Sequence, residues 1–338
     1  MPQVNIEELR TRAVGKLEDA GVDSETAGML VDHMLTADLW GRHSHGLSVR
    51  LHTMLKQARV VTEEDRIEVV EDGGHRVVVE GHDGFGYVAG RECTEILIER
   101  ARELGLACVG LRNTRHTGMI GYYMDMAVQA GIVAMGFANC NALMAPWGGT
   151  ERLLGTNPVA FGFPAQPDPI IVDMATSAVA FGEVIERERR GEDLPEGCAL
   201  DEHGAPTRDP SEARTGAVLP FGEHRGGALA VAVQLLSGVL TGSPPIPRGG
   251  KGYGLLLVGL ERGVFAGPEG YDAAVERFVE AYLDVPEREG MDVRLPGSRR
   301  YANRRACEES GTVEVSAEIA EMLALSGQSR QYGKTTDT

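Results

Sequence analysis

The chain has 338 residues, 42% of them hydrophobic and 25% charged, the balance of an ordinary soluble globular protein long enough for two lobes or one large domain. Its formal charge of −17 excludes the basic surface that nonspecific nucleic-acid or anionic-membrane binding needs, so any anionic ligand must be met by a local basic pocket. The five cysteines (Cys93, Cys108, Cys140, Cys198, Cys307) are scattered without a CxxC spacing, which argues against a zinc ribbon or disulfide framework and predicts reduced thiols in the cytoplasm.

MPQVNIEELRTR lacks an apolar signal core, and no apolar run approaches the ~18 residues a membrane helix needs. Residues 6–20 read as a helix with Leu9, Ala13, Val14 and Leu17 on one stripe. Residues 24–39 read as a second, with Ser24 as its expected cap and Ala27, Leu30, Val31, Met34 and Leu35 as its apolar face. Gly41 stops it, and GRHSHGLSVR (41–50) follows. There two histidines flank a serine beside two arginines. A proton-handling site, a metal clip, a serine-hydrolase fragment and a plain polar turn are all open readings of that stretch.

IEVVEDGGHRVVVEG (67–81) is a hairpin pattern, two β-branched runs around Gly73-Gly74. A helix is predicted over 86–104, a strand over 106–111, a helix around 118–130 and a strand over IVAMGFAN (132–139). VAFGFP and PIIVDM, within 158–174, supply two more strands. Residues 226–240 form a strongly apolar helix, and YGLLLVGL (253–260) fits a buried strand or a helix equally. The polar, Gly- and Pro-rich segment 187–216 reads as a long surface excursion. Residues 313–326 are helical by pattern and can return to pack on the N-terminal helices. The expected class is α+β (mixed α/β), with a discontinuous helical lobe from 1–72 and 300–338 and a sheet domain over 73–299.

Several familiar motifs are missing. No strict GxGxxG follows a strand; GFGYVA (84–89) fits only a looser form and has no acidic residue about 20 positions on. GxxxxGK[ST], GxSxG and HExxH are absent, and GGKGYG (249–254) is merely glycine-rich. No acidic or cysteine ligand completes a metal set with His43, His45 and His116, so no metal is expected.

What the chain does carry is an ordered series: SHG (44–46), NxxHxG (113–118), PxGG and GTNP (146–158), DMATS (173–177), LPFGxxxG (219–226), LxGVLTG (236–242) and LPG (295–297). In this order, over roughly residues 5–325, the series resembles the type-2 malate/L-lactate dehydrogenase family, which includes ureidoglycolate dehydrogenase, 2,3-diketogulonate reductase and Δ1-piperideine-2-carboxylate reductase. The resemblance implies a nicotinamide-dependent oxidoreductase of 2-oxo and 2-hydroxy acids, or of cyclic 2-imino acids. It implies NAD or NADP held on a mostly antiparallel sheet outside the usual dinucleotide fold, a small carboxylate substrate, and a homodimer.

The chemistry fits those residues. Hydride delivery to a carbonyl carbon builds negative charge on oxygen, and a histidine near neutral pKa can meet it with a proton. The resemblance gives this role to His45, with Ser44 orienting the ring and His116 as second acid/base or substrate binder. Glu183 falls where imine-reducing members carry a further acid. Arg50 is the match for the carboxylate-binding cation and Thr156 for a second substrate contact. For the cofactor the resemblance points to Thr117, Gly118, Met119, Ile120, Gly121, Asn141, Asp173, Met174, Ala175, Thr176, Ser177, His224, Arg225, Gly226, Pro296, Gly297, Ser298 and Arg299. The arginines of 299–305 are candidates for a 2′-phosphate partner.

The chain departs from the pattern around SHG. His43 stands where the family usually has Asp, and Arg50 lies one residue later than the usual arginine, with Val49 in its place. Arg225 replaces a lysine and Thr117 a phenylalanine. Three readings are therefore carried: 2-oxo acid reduction or its reverse, reduction of an imine bearing a carboxylate, and an inactive homologue serving as a binding protein. Retention of Ser44 and His45 argues against the last.

Overall fold

The computed structural model describes residues 2–62 and 65–325. The N-terminal part contains β1 (Gln3–Asn5), α1 (Ile6–Glu18), α2 (Ser24–Leu39), a 3₁₀ turn at His43–His45 and α3 (Leu47–Gln57). Then come β2 (Glu68–Asp72), β3 (Arg76–Glu80), α4 (Gly86–Leu104), β4 (Leu106–Thr114), α5 (Ile120–Gln129), β5 (Ile132–Ala138), β6 (Val159–Phe163) and β7 (Ile170–Met174). They are followed by α6 (Phe181–Arg190), β8 (Ala199–Leu200), β9 (Pro206–Thr207), α7 (Pro210–Thr215), β10 (Ala217–Val218) and α8 (His224–Gln234), which runs on as a π-helical stretch, Leu235–Val239. The last elements are β11 (Tyr253–Glu261), α9 (Pro268–Leu283), α10 (Ser298–Ser310), β12 (Thr312–Glu314) and α11 (Ala317–Met322).

The described residues divide into two compact units, one formed by 2–60 with 299–325, the other by 61–62 with 65–298. In the first, β1 pairs antiparallel with β12, and Leu9, Leu17, Leu30, Val31, Met34, Leu35, Leu47 and Leu51 are wholly buried. The predicted helices over 6–20 and 24–39 are present. The cap of α2, however, is Asp23 rather than Ser24: its side chain accepts the Thr26 N–H at 3.0 Å. A carboxylate one residue earlier reaches the same orphan donor. The predicted helix over 313–326 is a strand followed by a short helix. β-branched Thr312 and Val313 pair with β1, and Ser316 starts α11 by accepting the Ile319 N–H. Residue 326 and the lobe's remaining expected residues, 327–338, lie outside the described residues, as do 1, 63 and 64.

The second unit is built on a seven-stranded sheet, order β2-β3-β4-β11-β5-β6-β7. Only β3 and β4 run parallel; every other neighbouring pair is antiparallel. The hairpin read at 67–81 is β2 and β3. YGLLLVGL resolves as strand β11, in the middle of the sheet between β4 and β5. Helix α4 packs on β4 and β11, and the π-helical stretch also packs on β11. A strand covered on both faces has no polar side to show, so its sequence is continuously apolar. Helix α5 sits on β5 and β6 at close range because Gly136 and Gly162 face it; a Cβ at Gly136 would lie 2.7 Å from Ile120.

Segment 187–216 is not a surface excursion. It forms β8, β9 and α7, and with β10 a three-stranded sheet. Leu194, Cys198, Ala199 and Ala213 join Met144, Leu154, Val184, Val218 and Ala230 in one buried cluster. Its strands are two residues long and its apolar residues lie singly, so no period marks them.

Candidate active site

The SHG turn belongs to the first unit. Ser44 Oγ lies 3.0 Å from His45 Nδ1. Arg50 Nε donates to the Ser44 carbonyl at 3.1 Å, which fixes the guanidinium against the turn. Burial in the protein lowers the His45 pKa well below the usual histidine value, and the positive charge of Arg50, then His33 and Arg42, lowers it further. Near neutral pH the ring is therefore uncharged, the state a proton acceptor needs.

Two residues of this neighbourhood went unread in the sequence. His33 is buried on α2, its pKa pushed down to about 3, chiefly by burial. Asp38, in the last turn of α2, is buried too; its Oδ2 accepts the Leu47 N–H at 2.8 Å and its Oδ1 lies 3.4 Å from His43 Nδ1. Burial raises the Asp38 pKa, against the opposing pull of His43 and the Leu47 N–H. The signal was there but ambiguous: from Leu30 on, α2 is buried except at Asp32 and Thr36, so His33 and Asp38 stand among apolar residues with nothing local to mark them.

In the second unit the resemblance residues fall into two groups. One is the junction from β4 to α5. His116 Nδ1 accepts the Gly118 N–H at 3.1 Å, so its neutral ring carries the proton on Nε2 and is a donor there. Tyr123 Oη donates to the Thr117 carbonyl at 2.6 Å, and Thr117, Met119 and Ile120 are buried. Gly118 has φ +75°, which a side chain rarely adopts.

The other group gathers around β7. The Thr176 N–H and Oγ1 both donate to the Thr156 carbonyl, at 2.8 and 3.0 Å. The Thr156 hydroxyl lies 3.6 Å from Cys140 Sγ, and Asn141 Oδ1 accepts the Gly250 N–H at 3.3 Å. Ser177 Oγ donates to the Val179 carbonyl, and Phe221 N–H to the Thr176 carbonyl. That last bond ties the strand end bearing Asp173, Met174 and Ala175 to the turn before His224, Arg225 and Gly226. The Ile171 N–H donates to the Pro296 carbonyl, setting Pro296 and Gly297 along the same strand, just before Ser298.

Glu183 lies in the first turn of α6 and accepts from Arg187 Nε at 2.9 Å. An exposed pair of this i,i+4 kind contributes only about 0.3–0.5 kcal/mol, too little to commit the carboxylate. Of the arginines at 299–305, Arg300 is buried with its guanidinium 4.8 Å from the Trp40 ring, and Arg304 donates to Glu308. Arg300 thus packs within the first unit, Arg304 makes an exposed pair along α10, and Arg299 is exposed. Among the described residues no group of three or more His, Cys, Asp or Glu side chains is arranged to hold a metal ion, and no helix is long and apolar enough to cross a membrane.

The family model described as malate/L-lactate dehydrogenase matches residues 4–324. The chain belongs to that family. It is thus a member of an oxidoreductase family, and the resemblance read from the ordered motifs holds over nearly the whole chain. The (2R)-3-sulfolactate dehydrogenase (NADP(+)) of Chromohalobacter salexigens is 38% identical over 321 residues, 91% of this chain and 93% of the relative. The L-lactate dehydrogenase of Cupriavidus necator is 36% identical over 324 residues, 91% of this chain and 92% of the relative. Among solved structures, Δ1-piperideine-2-carboxylate reductase from Pseudomonas syringae superposes with a TM-score of 0.85 at 29% identity, covering 96% of this family member and 99% of the reductase.

Proposed function

We propose that this dehydrogenase-family protein interconverts a 2-oxo acid and the matching 2-hydroxy acid with NAD(H) or NADP(H), His45 carrying the proton. The observation that carries the reading is the Ser44–His45 contact in a turn braced by Arg50, with the ring held uncharged. The residues fit a dinucleotide at α5, which begins without a side-chain cap, so its first N–H groups, at Ile120 and Gly121, suit pyrophosphate oxygens. The nicotinamide, when bound, supplies or accepts a hydride at substrate C2. With Nδ1–H donating to Ser44 Oγ, His45 Nε2 is the atom that takes the alcohol proton in oxidation and returns it in reduction. Arg50 pairs with the substrate carboxylate, and His116, by its Nε2–H, is the second candidate for acid/base or substrate binding.

The test is NADH and NADPH consumption with pyruvate, oxaloacetate and 3-sulfopyruvate against piperideine- and pyrroline-2-carboxylate. Turnover of the imines alone would replace the 2-oxo acid reading by the imine one, with Glu183 as further acid. Binding of neither dinucleotide would leave a binding protein.

The pH profile follows from the lowered His45 pKa, and kcat/KM reports the free enzyme. In oxidation the uncharged ring is competent, so kcat/KM stays level as pH falls through 6.5 and drops only well below it. In reduction the protonated ring is competent, so kcat/KM falls about tenfold per pH unit as pH rises through neutrality. An acid limb at or above 6.5 in oxidation would contradict the role given to His45.

We read the working form as a homodimer. None of the side chains of α9 is buried, although Phe278 is 57% and Leu283 50% exposed, and Phe265 just before the helix is 89% exposed. An apolar helix face of this size is expected to be covered, here by a second copy. Phe278→Glu is expected to shift the mass seen by light scattering from dimer to monomer; a monomeric parent protein would dismiss the idea.

A further inference from the structure

The segment bearing Ser44 and His45 is gripped from α2. One Asp38 oxygen holds the Leu47 N–H and the other faces His43 Nδ1. His43 opens the 3₁₀ turn and Leu47 opens α3, so a single carboxylate engages the chain on both sides of His45. Gly46 makes the room. Its φ of −81° and ψ of 179° suit any residue, so the backbone does not require glycine; a Cβ there would overlap the Asp38 carboxylate. Helix α3 has no side-chain cap from Gly46, and Asp38 supplies that acceptor from α2. The Asp38 side chain is fully buried while His43 is 28% exposed, so the contact can be altered from either side.

We propose that Asp38 is a positioning residue for the Ser44–His45 pair, setting the turn through Leu47 and His43 without touching the reacting atoms. This rests on the reading of His45 as proton carrier. A carboxylate that merely capped α3 would support stability alone, whereas a positioning carboxylate acts on turnover through His45, since a misplaced proton carrier loses rate steeply with distance.

Asp38→Asn keeps an acceptor for the Leu47 N–H and removes the charge facing His43. Its kcat is expected to fall ~10–100-fold, with cofactor affinity and thermal midpoint near those of the parent. The deciding measurement is a double-mutant cycle with His45→Ala: in that background Asp38→Asn is expected to add less than about a twofold loss, because its route to the reaction is already gone. His43→Ala, altered from the exposed side, is expected to lower kcat in the same direction and carries the same cycle if Asp38→Asn does not fold. Equal losses in both backgrounds, or unchanged kcat in a folded Asp38→Asn protein, would overturn the proposal. Full turnover by His45→Ala alone would remove the proton-carrier reading, and the positioning role with it.

Discussion

His45→Ala lowers kcat by about 10²–10⁴-fold in both directions, the range general acid–base catalysis contributes. The ring is the group that accepts the alcohol proton, and alanine has no atom to replace it. Little else should change. His45 belongs to a 3₁₀ turn rather than to the apolar core, so the lost ring leaves no large core cavity, and the helix start assigned to the dinucleotide belongs to the other unit. Steady-state rates with saturating substrate, beside fluorescence titration of NADH or NADPH, separate the two effects. Loss of turnover with cofactor affinity intact is the expected pattern. Turnover near the parent level would move proton transfer to His116, the second acid/base candidate of the family resemblance, whose Nε2–H is a donor.

Arg50→Lys raises the KM of the carboxylate substrate by about 10–100-fold, equivalent to ~1.4–2.8 kcal/mol, with kcat falling less. In the parent, Arg50 Nε is spent on the Ser44 carbonyl at 3.1 Å, and the rest of the planar fork is left in a fixed orientation for a carboxylate. Lysine keeps the charge but loses both the anchor and the two-pronged geometry. The pH profile gives an independent check, because Arg50 is the leading charge that lowers His45. Lysine keeps a positive charge there, so the acid limb of oxidation stays low. Arg50→Met removes the charge, so the His45 pKa rises and the limb moves toward neutrality. An unchanged KM in Arg50→Lys would shift the anion site elsewhere, with Arg42 next in line.

The segments of the candidate site could be picked out in the sequence because their signals are local. Ser44 and His45 are chain neighbours, the Thr176–Ser177 pair follows strand β7, and NxxHxG, DMATS, LPFGxxxG and LPG fall at or beside strand ends or helix starts. What was not legible depends on contacts far apart in the chain. Asp38 looks like one more polar residue on α2 until α3 folds back and places the Leu47 N–H on its carboxylate. The closure of Thr156 onto Thr176 spans 20 residues and leaves no periodic trace.

By itself the sequence determined the local elements: the paired helices over 6–39, the β2–β3 hairpin around its glycines, and α4. In each, side-chain periodicity or turn chemistry acts within a few residues and needs no distant partner. Only the tertiary structure decided that YGLLLVGL is a central strand, that Thr312–Glu314 pairs with the N-terminus, and that 194–213 contributes to a core. An apolar run acquires its conformation from what covers its two faces, and a short strand from the edge it meets, and neither is written in the run itself.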